Sequence, residues 1–244
     1  MPLRLAIAFL GKGGAGKSVI AGTICRYLAR DGIRVLALDI DTVPGLAFSL
    51  GIPPDVGELP AGLAELVEAK KGRRWKVKTG AGAARLVDTY AAQGPDGIRF
   101  LELGKLPNGV EPSITVAFRH VTERFRRQDW AVVADLAAGT RQPMFGWAQF
   151  ATMRVLVVEP TATSILTMRR LAPAATHIIA NKIRSESDVR MVSSVISLPV
   201  LATIPYDEMV SDAESRGLAP LDVMPQAPAM LALAALAHRL EDSV

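Results

Sequence analysis

The segment FLGKGGAGKS, residues 9–18, decides the fold. It matches the pattern G-x-x-x-x-G-K-[ST] through Gly11, Gly16, Lys17 and Ser18, and it lies between a strand-like apolar segment and a helical segment. The glycines let such a loop curl so that backbone N–H groups face a phosphate, and the following helix adds its positive N-terminal end. The segment therefore predicts a nucleotide phosphate site, in which Lys17 reaches the β- and γ-phosphates and the Ser18 hydroxyl binds Mg²⁺.

Seven short apolar segments indicate strands that are buried on both faces, because each is rich in Val, Ile, Leu and Ala and is bounded by glycine or polar residues. They span residues 4–10, 34–40, 98–103, 130–136, 154–160, 176–182 and 199–205. Helical segments separate most of them, which favours a mostly parallel, twisted sheet with right-handed crossovers. We expect an α/β fold of three layers, with helices on both faces of the sheet and ligands beyond the carboxyl ends of the strands.

The length and this regular rhythm predict a single domain covering residues 1–244. The alternation is interrupted over residues 51–96, where a stretch with several prolines and glycines is followed by the basic run KKGRRWKVKTGAG. We interpret residues 51–96 as an insertion at an edge of the sheet.

Composition excludes several classes of protein. The 28 basic residues against 24 acidic ones are not the balance of a dedicated nucleic-acid binder. The apolar run AMLALAALA is far shorter than the roughly 20 residues that span a bilayer. The N-terminal apolar segment leads into the glycine loop rather than into a cleavage site, so we expect a cytoplasmic protein. The single cysteine, Cys25, excludes an internal disulfide and is expected to be a small buried residue.

The second lysine of the loop, Lys12, carries a family resemblance. The loop resembles the deviant form K-G-G-x-G-K-[ST] of P-loop ATPases, the group that includes MinD, ParA, the nitrogenase iron protein and CooC. The resemblance implies a P-loop NTPase fold, ATP or ADP with Mg²⁺ as ligands, and an ATP-dependent homodimer in which Lys12 touches the phosphates of the partner's nucleotide. The alternative is a solvated lysine that only raises the local potential. The implied nucleotide contacts of the loop are Gly11, Gly13, Gly14, Ala15, Gly16, Lys17, Ser18 and Val19. Many relatives carry a hydroxyl residue at the position of Val19, so the α-phosphate contact is left to the backbone.

Carboxylates at two strand ends resemble the two switches of this family. The segment ALDIDT contains Asp39 and Asp41, and the resemblance implies that Asp41 activates the attacking water while Asp39 supports the water shell of the metal. The segment VVADLAAGT places Asp135 and Gly139 as D-x-x-x-G, so that Asp135 would bind Mg²⁺ through water and the Gly139 amide would sense the γ-phosphate. Ordinary strand-end caps are the alternative for all three aspartates. Relatives usually have proline directly after the D-x-D pair, whereas this chain has Thr42 and then Pro44, which leaves open which carboxylate positions the water.

Two later strand ends resemble the adenine-binding segments of the family. One is IIANKI, which ends in Asn181 and Lys182, and the other is IPYDE, which contains Pro205, Tyr206 and Asp207. An asparagine side chain donates and accepts at once, so it can match the edge of adenine. A plain helix or turn cap would also explain Asn181.

The resemblance is closest to the CooC-like accessory ATPases of carbon-monoxide dehydrogenase, but one feature of that group is missing. Those proteins carry a C-x-C pair that builds a four-thiolate site in the dimer, and here Glu111 and Ser113 stand in its place. His120, His177 and His238 lack the spacing of metal ligands. We therefore predict no metal other than Mg²⁺.

The resemblance implies a slow, partner-stimulated ATPase with Lys12, Lys17 and Asp41 as catalytic residues. We predict that its dimer acts on a protein client in metalloenzyme maturation or assembly. A ParA- or MinD-like positioning ATPase is the main alternative, with the basic run around Trp75 as its possible DNA contact. DNA binding is not favoured, because a basic run is more often a solvated face. A small-molecule ligase or kinase on the same fold is a third possibility. The apolar C-terminal segment is expected to pack on the sheet, since it lacks the basic face of a membrane tether.

Overall fold

In the computed structural model of the chain, residues 3–41, 45–70, 72–104, 111–195 and 197–242 are described. The strands are β1 (Leu5–Gly11), β2 (Arg34–Asp39), β3 (Ala64–Ala69), β4 (Gly72–Val77), β5 (Ala92–Gln93), β6 (Arg99–Glu102), β7 (Trp130–Asp135), β8 (Met153–Val158), β9 (His177–Ile183) and β10 (Val200–Pro205). The helices are α1 (Lys17–Arg30), α2 (Gly45–Leu50), α3 (Ala83–Tyr90), α4 (Pro112–Arg124), α5 (Arg141–Met144), α6 (Ala162–Leu171), α7 (Glu186–Ser193), α8 (Glu208–Ser215), α9 (Pro220–Val223) and α10 (Pro228–Asp242), with 3₁₀ turns at Pro95–Gly97 and Ala172–Ala174.

Eight strands form one sheet in the order β10-β9-β8-β1-β7-β2-β6-β5. Every neighbouring pair is parallel except β5 with β6, which is antiparallel. The seven predicted strands are all present, and their ends differ from the predicted ones by two residues or fewer. The largest difference is at β8, which ends at Val158 because the chain turns at Glu159, whose carbonyl accepts from the N–H of Thr161 at 2.8 Å.

The sheet separates two apolar cores, as the three-layer prediction requires. In β1, Ile7 and Phe9 face one core while Ala8 and Leu10 face the other, which is the period of two expected of a strand buried on both sides. Helices α1, α2, α9 and α10 cover the first face, and α3, α4, α6 and α7 cover the second. The predicted α/β fold with a mostly parallel sheet is confirmed.

Residues 51–96 contain elements that the sequence pattern did not predict. Strands β3 and β4 form a separate antiparallel hairpin, and this hairpin packs beside α4. The stretch then continues through α3 and β5, where β5 is the last strand at its edge of the sheet. The assignment of residues 51–96 as an edge insertion in a single domain stays a prediction.

The C-terminal helix α10 packs on the core rather than exposing its apolar side. Met230, Leu233, Leu236 and Leu240 are all buried among residues of α1 and β10. Within the described residues, no helix combines the length and the apolar composition that crossing a membrane requires. The prediction that this segment packs on the sheet agrees with the structure.

A buried arginine ties three distant parts of the chain to α1. The guanidinium of Arg26, which is 4% exposed, pairs with the Asp222 carboxylate at 2.9 and 3.0 Å and with Asp96. It also donates to the carbonyl of Leu50 at 3.1 Å. Two carboxylates, which Arg30 also contacts, therefore pair with one buried cation in the second half of α1.

Candidate nucleotide site

The glycine loop joins β1 to α1 at the centre of the sheet. Gly11, Gly14 and Gly16 have φ of 148°, 77° and 89°, values that L side chains rarely adopt. At Gly16 a Cβ would also overlap the Asn181 amide. A Cβ at Gly11 would likewise overlap the carbonyl of Val157. Backbone conformation therefore requires glycine at all three positions, and close approach requires it at Gly11 and Gly16 as well.

The two lysines of the loop have different surroundings. Lys17, at the start of α1, is 6% exposed and its ammonium donates to the carbonyl of Lys12 at 3.3 Å. The side chain of Lys12 is 38% exposed, and its Nζ lies 3.9 Å from Oε2 of Glu159. Lys17 is thus folded over the loop, whereas Lys12 lies at its rim.

Ser18 and Asp135 form the pair expected at a magnesium site. The Ser18 hydroxyl donates to Oδ2 of Asp135 at 2.5 Å, while Oδ1 of Asp135 is buried without a partner. Burial raises the pKa of Asp135 to about 6, with Asp41 adding to the shift, whereas Lys17 and Ser18 oppose it. An orphaned carboxylate oxygen beside a serine hydroxyl fits a hard, oxygen-ligated cation such as Mg²⁺.

Asp39 lies on the neighbouring strand, in register with Asp135. It is fully buried, and its carboxylate accepts from the backbone N–H groups of Asp41 at 3.0 Å and of Leu46 at 3.1 Å. Burial, followed by the charge of Asp135, raises the pKa of Asp39. Asp39 therefore anchors both ends of the segment that contains Asp41. Thr42 and Pro44, where the sequence departs from the family pattern, lie outside the described residues.

The segment after β7 is connected to both the glycine loop and β2. The N–H of Gly139 donates to the carbonyl of Gly11 at 3.1 Å. Gln142 accepts from the N–H of Ala137 at 2.8 Å and donates to the carbonyl of Ile40 at 2.7 Å. Gln142 thus bridges the two predicted switches. It belongs to no motif, so sequence reasoning missed it.

The predicted base-binding residues line one cleft beside the glycine loop. Its lining combines Asn181, Lys182, Pro205, Tyr206 and Asp207 with residues of α1, α8 and α10. Asn181 donates to the carbonyl of Ala15 at 2.8 Å. Oδ1 of Asp207 caps α8 through the N–H of Met209 at 3.1 Å, whereas Oδ2 is buried without a partner. A buried free acceptor in this cleft suits a donor such as the amino group of adenine.

Two residues at the rim of this cleft were not predicted. Oε1 of Glu159 lies 2.7 Å from Nζ of Lys182, and the same ammonium donates to the carbonyl of Gly14 at 2.5 Å. The guanidinium of Arg184 stacks 3.7 Å from the centre of the Tyr206 ring. A single Glu or Arg after a strand forms no sequence motif that would predict these contacts. The contacts arise only because β8, β9 and β10 are neighbours in the sheet.

Glu111 and Ser113, which replace the cysteine pair, form a helix cap. The Glu111 carboxylate accepts from the N–H of Ile114 at 3.1 Å and from the Ser113 hydroxyl, which lowers the pKa of Glu111. Ser113 Oγ in turn accepts from the N–H of Gly62 at 2.8 Å. The pair therefore starts α4 and holds residue 62 against it. Residues 105–110, the rest of this predicted region, lie outside the described residues.

The three histidines lie on separate elements, and one ligand atom of His238 lies within 4.8 Å of a carboxylate oxygen of both Asp31 and Glu241. His120 and His177 are partly buried, and burial lowers the pKa of each. His238 lies at the surface, with Nδ1 3.6 Å from Asp31 and 3.7 Å from Glu241.

The basic run coincides with the hairpin. Arg73, Arg74 and Lys76 are exposed on β4, and Trp75 is 39% exposed. Cross-strand register places Glu68 opposite Arg73 and Glu65 opposite Lys76, so acidic residues of β3 offset part of this charge. Lys71 lies outside the described residues.

The loop at the start of α1, the aspartates at adjacent strand ends and the cleft define a P-loop nucleotide-binding protein. Residues 7–221 match the CobQ/CobB/MinD/ParA nucleotide binding domain, CbiA, which is most of the chain. The chain therefore belongs to this family and carries a nucleotide-binding P-loop domain of the MinD/ParA type.

Several relatives resemble the chain over most of its length. An uncharacterized ATP-binding protein of Methanocaldococcus jannaschii is 29% identical over 87% of this chain and 90% of its own. The carbon monoxide dehydrogenase accessory protein CooC of Rhodospirillum rubrum is 26% identical over 91% of each chain. The septum site-determining protein MinD of Pyrococcus horikoshii, solved with Mg-ADP, has a TM-score of 0.67 at 19% identity and covers 96% of this chain and 94% of its own. The structural likeness confirms the fold.

Proposed function

We propose that this chain is a Mg²⁺-dependent ATPase that dimerises around two nucleotides and uses hydrolysis to change its contact with a client in metalloenzyme maturation or assembly. The observation that carries the proposal is the pairing of Ser18 with a half-satisfied Asp135 beneath a glycine loop. The ATP-binding family and the similarity to CooC support it.

The loop and Lys17 bind the phosphates. Lys17 currently donates to a loop carbonyl, a weak contact at 3.3 Å that a phosphate oxygen can replace. The N–H groups of the first turn of a helix have no partner within the helix, so those of α1 can bind a phosphate. Asn181 and Asp207 hold the base in the adjoining cleft, and Lys182 and Tyr206 border it.

Ser18 and Asp135 are the residues that would hold Mg²⁺. Bound there, Mg²⁺ would neutralise charge that develops on the transferred phosphoryl group. Asp39 keeps this arrangement in place, because its carboxylate accepts hydrogen bonds from the backbone N–H groups of Asp41 and Leu46.

Asp41 orients the attacking water and accepts its proton. It follows Asp39 at the carboxyl end of β2 and lies close enough to Asp135 to raise the pKa of that residue. Gly139 reports the γ-phosphate through its N–H, which contacts Gly11 in this structure.

Lys12 contacts the phosphates of the nucleotide in the partner subunit, so hydrolysis requires the dimer. Its ammonium lies at the exposed rim of the loop, where a partner subunit can approach, whereas Lys17 is buried. Lys12 is held by one distant carboxylate, so it can leave for a partner's phosphate at little cost.

The nucleotide part of the proposal is tested by hydrolysis and light scattering on four proteins. Wild type should form a dimer with Mg-ATP, and Lys12→Ala should bind ATP as a monomer with hydrolysis reduced by about 100-fold or more. Lys17→Ala should lose ATP binding. Glu123→Gln, which removes a surface pair with Arg119, is the matched control and should behave as wild type. A wild-type protein that stays monomeric with Mg-ATP, or a Lys12→Ala protein with unchanged turnover, would overturn the dimer.

The client is tested by cross-linking in the native host with Asp41→Ala, which should arrest the ATP-bound dimer. Enrichment of a metalloenzyme subunit over the level seen with Lys17→Ala supports maturation. Enrichment of DNA without any metalloenzyme would overturn that role.

A DNA-positioning function is the second candidate, and the exposed Arg73, Arg74 and Trp75 on β4 favour it. It requires ATP-dependent, salt-sensitive DNA binding that is lost when Arg73 and Arg74 are both replaced by alanine. The facing Glu65 and Glu68 argue against it, since they would lie beside the DNA backbone.

A further inference from the structure

Three carboxylates converge at the carboxyl end of β6, one strand beyond the nucleotide site. One oxygen from each of Asp55, Glu58 and Glu102 lies within 4.8 Å of the other two. Asp55 and Glu58 come from the loop after α2, and Glu102 is the last residue of β6. None of the described ion pairs includes any of the three.

Glu102 is the unusual member of this cluster. It is 3% exposed, and its Oε2 is buried without a hydrogen-bond partner. Burial and the charges of Glu58 and Asp55 raise the pKa of Glu102 to about 7. A buried carboxylate oxygen that no protein group satisfies is costly unless a ligand pairs with it.

The backbone is built to bring these groups together. The N–H of Glu102 donates to the carbonyl of Gly57 at 3.1 Å. The backbones of Glu58 and Glu102 form an isolated parallel β-bridge. Gly104 has φ of 72°, and a Cβ at this position would overlap the Glu58 carboxylate. The loop is therefore docked on the strand end with space reserved for an acidic side chain.

We propose that Asp55, Glu58 and Glu102 form a second divalent-cation site that takes Ca²⁺. Ca²⁺ binds oxygen at about 2.3–2.6 Å, so any two of its ligands lie no more than about 5 Å apart, a limit that these three oxygens meet. Mg²⁺ needs a tighter octahedron and keeps most of its waters, and Zn²⁺ prefers nitrogen and sulfur ligands. The exposed side of the cluster leaves room for the remaining ligands of Ca²⁺ to be water.

The site is separate from the nucleotide site but is connected to it. β6 pairs with β2 so that Glu102 is in register with Asp39, and the N–H of Leu103 donates to the Asp39 carbonyl at 2.9 Å. A cation on Glu102 therefore stiffens the strand end that carries Asp39. The cation site itself uses none of the nucleotide ligands and stands whether or not the protein hydrolyses ATP.

Calorimetric titration of Ca²⁺ into chelator-treated, nucleotide-free protein tests the proposal. Wild type should bind one Ca²⁺ per chain at this site, and Glu102→Gln should weaken that binding by about tenfold or more, because it removes one of three charged ligands. Glu58→Gln should do the same. Circular dichroism verifies that each variant is folded, and Asp55→Asn, at an exposed position, provides a variant that leaves the buried strand end unaltered.

Two controls separate this site from other carboxylates. Glu186→Gln removes an exposed carboxylate with a single surface partner and should leave the Ca²⁺ affinity unchanged. Asp135→Asn removes the proposed magnesium ligand and should also retain Ca²⁺ binding. The proposal is wrong if wild type takes up no Ca²⁺, if the affinity is the same in Glu102→Gln and Asp55→Asn as in wild type, or if Asp135→Asn abolishes the binding.

Discussion

Nζ of Lys12 lies 3.9 Å from Oε2 of Glu159 in its own chain, and the other oxygen of the same carboxylate holds Lys182. The lysine that we assign to the partner's nucleotide is therefore paired within its own subunit. Glu159 competes with the dimer for Lys12, and it also fixes Lys182 at the rim of the base cleft.

Glu159→Gln should lower the protein concentration at which the Mg-ATP dimer forms, because the variant removes the competing negative charge. Glu159 is buried, but Lys12 is 38% exposed and the two charged atoms are 3.9 Å apart, so the pair contributes up to about 1 kcal/mol and we expect a shift of about fivefold or less. Light scattering over a concentration series measures it, with Glu123→Gln as the control. A weaker dimer in Glu159→Gln than in wild type would contradict the competition.

Asp135→Asn should have opposite effects on activity and on stability. Hydrolysis should fall by about 100-fold or more, because the metal loses its carboxylate. The nucleotide-free protein should melt higher, by about 3 °C for each kcal/mol gained, since the ionised carboxylate is buried and Asn is neutral. Calorimetry and a phosphate-release assay measure the two effects. A lower melting temperature would show that the attraction between Lys17 and the Asp135 carboxylate stabilises the fold by more than the burial of that charge destabilises it.

Gly16→Ala should destabilise the loop more than Gly14→Ala. Both positions have positive φ, so both variants carry the backbone strain of about 1–2 kcal/mol. Only at Gly16 does the new Cβ also displace Asn181 from the Ala15 carbonyl, whereas Gly14 has open space. Urea unfolding of both variants measures the difference, and equal midpoints would show that Asn181 moves freely.

Arg26→Ala should cost about 3 kcal/mol of unfolding free energy, because it removes a buried guanidinium that pairs with Asp96 and Asp222 and donates to the carbonyl of Leu50. Arg30→Ala is the matched control on the same helix. Arg30 contacts the same aspartates but is far more exposed, so its loss should cost less than about 1 kcal/mol. Denaturant unfolding compares the two, and similar costs would refute the importance of burial.

Cys25 should resist thiol reagents in the native protein. It is completely buried, and burial, followed by the charge of Asp135, raises the pKa of its thiol. Because it is the only cysteine, the colour change with a disulfide reagent reports it directly, and Cys25→Ala provides the blank. Reaction should begin only with unfolding by denaturant; rapid labelling of the folded protein would contradict this burial.

The sequence predicted the central architecture because its signals are local. The strands of the sheet that carry site residues are continuous apolar segments. The glycine loop is likewise a continuous motif. The β3–β4 hairpin escaped prediction because its strands are mostly exposed and carry charges in place of a clear apolar alternation.

The pairings across the site could not be predicted in the same way. Gln142 reaches Ile40, and Glu159 reaches Lys12 and Lys182, only because strands distant in sequence are neighbours in the sheet. Glu102 is likewise far along the chain from Asp55 and Glu58. The roles assigned to Lys12, Asp41, Asn181 and the other site residues stay predictions that the experiments above test.

The bond from Gly139 to Gly11 has a consequence for how nucleotide binding is sensed. An amide carries one hydrogen, and here it is donated to a carbonyl of the loop at 3.1 Å. If that hydrogen turns to a γ-phosphate, the protein must give up the loop contact, so the two acceptors exclude one another. A bound γ-phosphate would then break the hydrogen bond between Gly139 and Gly11. Release of that phosphate after hydrolysis would let the hydrogen bond form again.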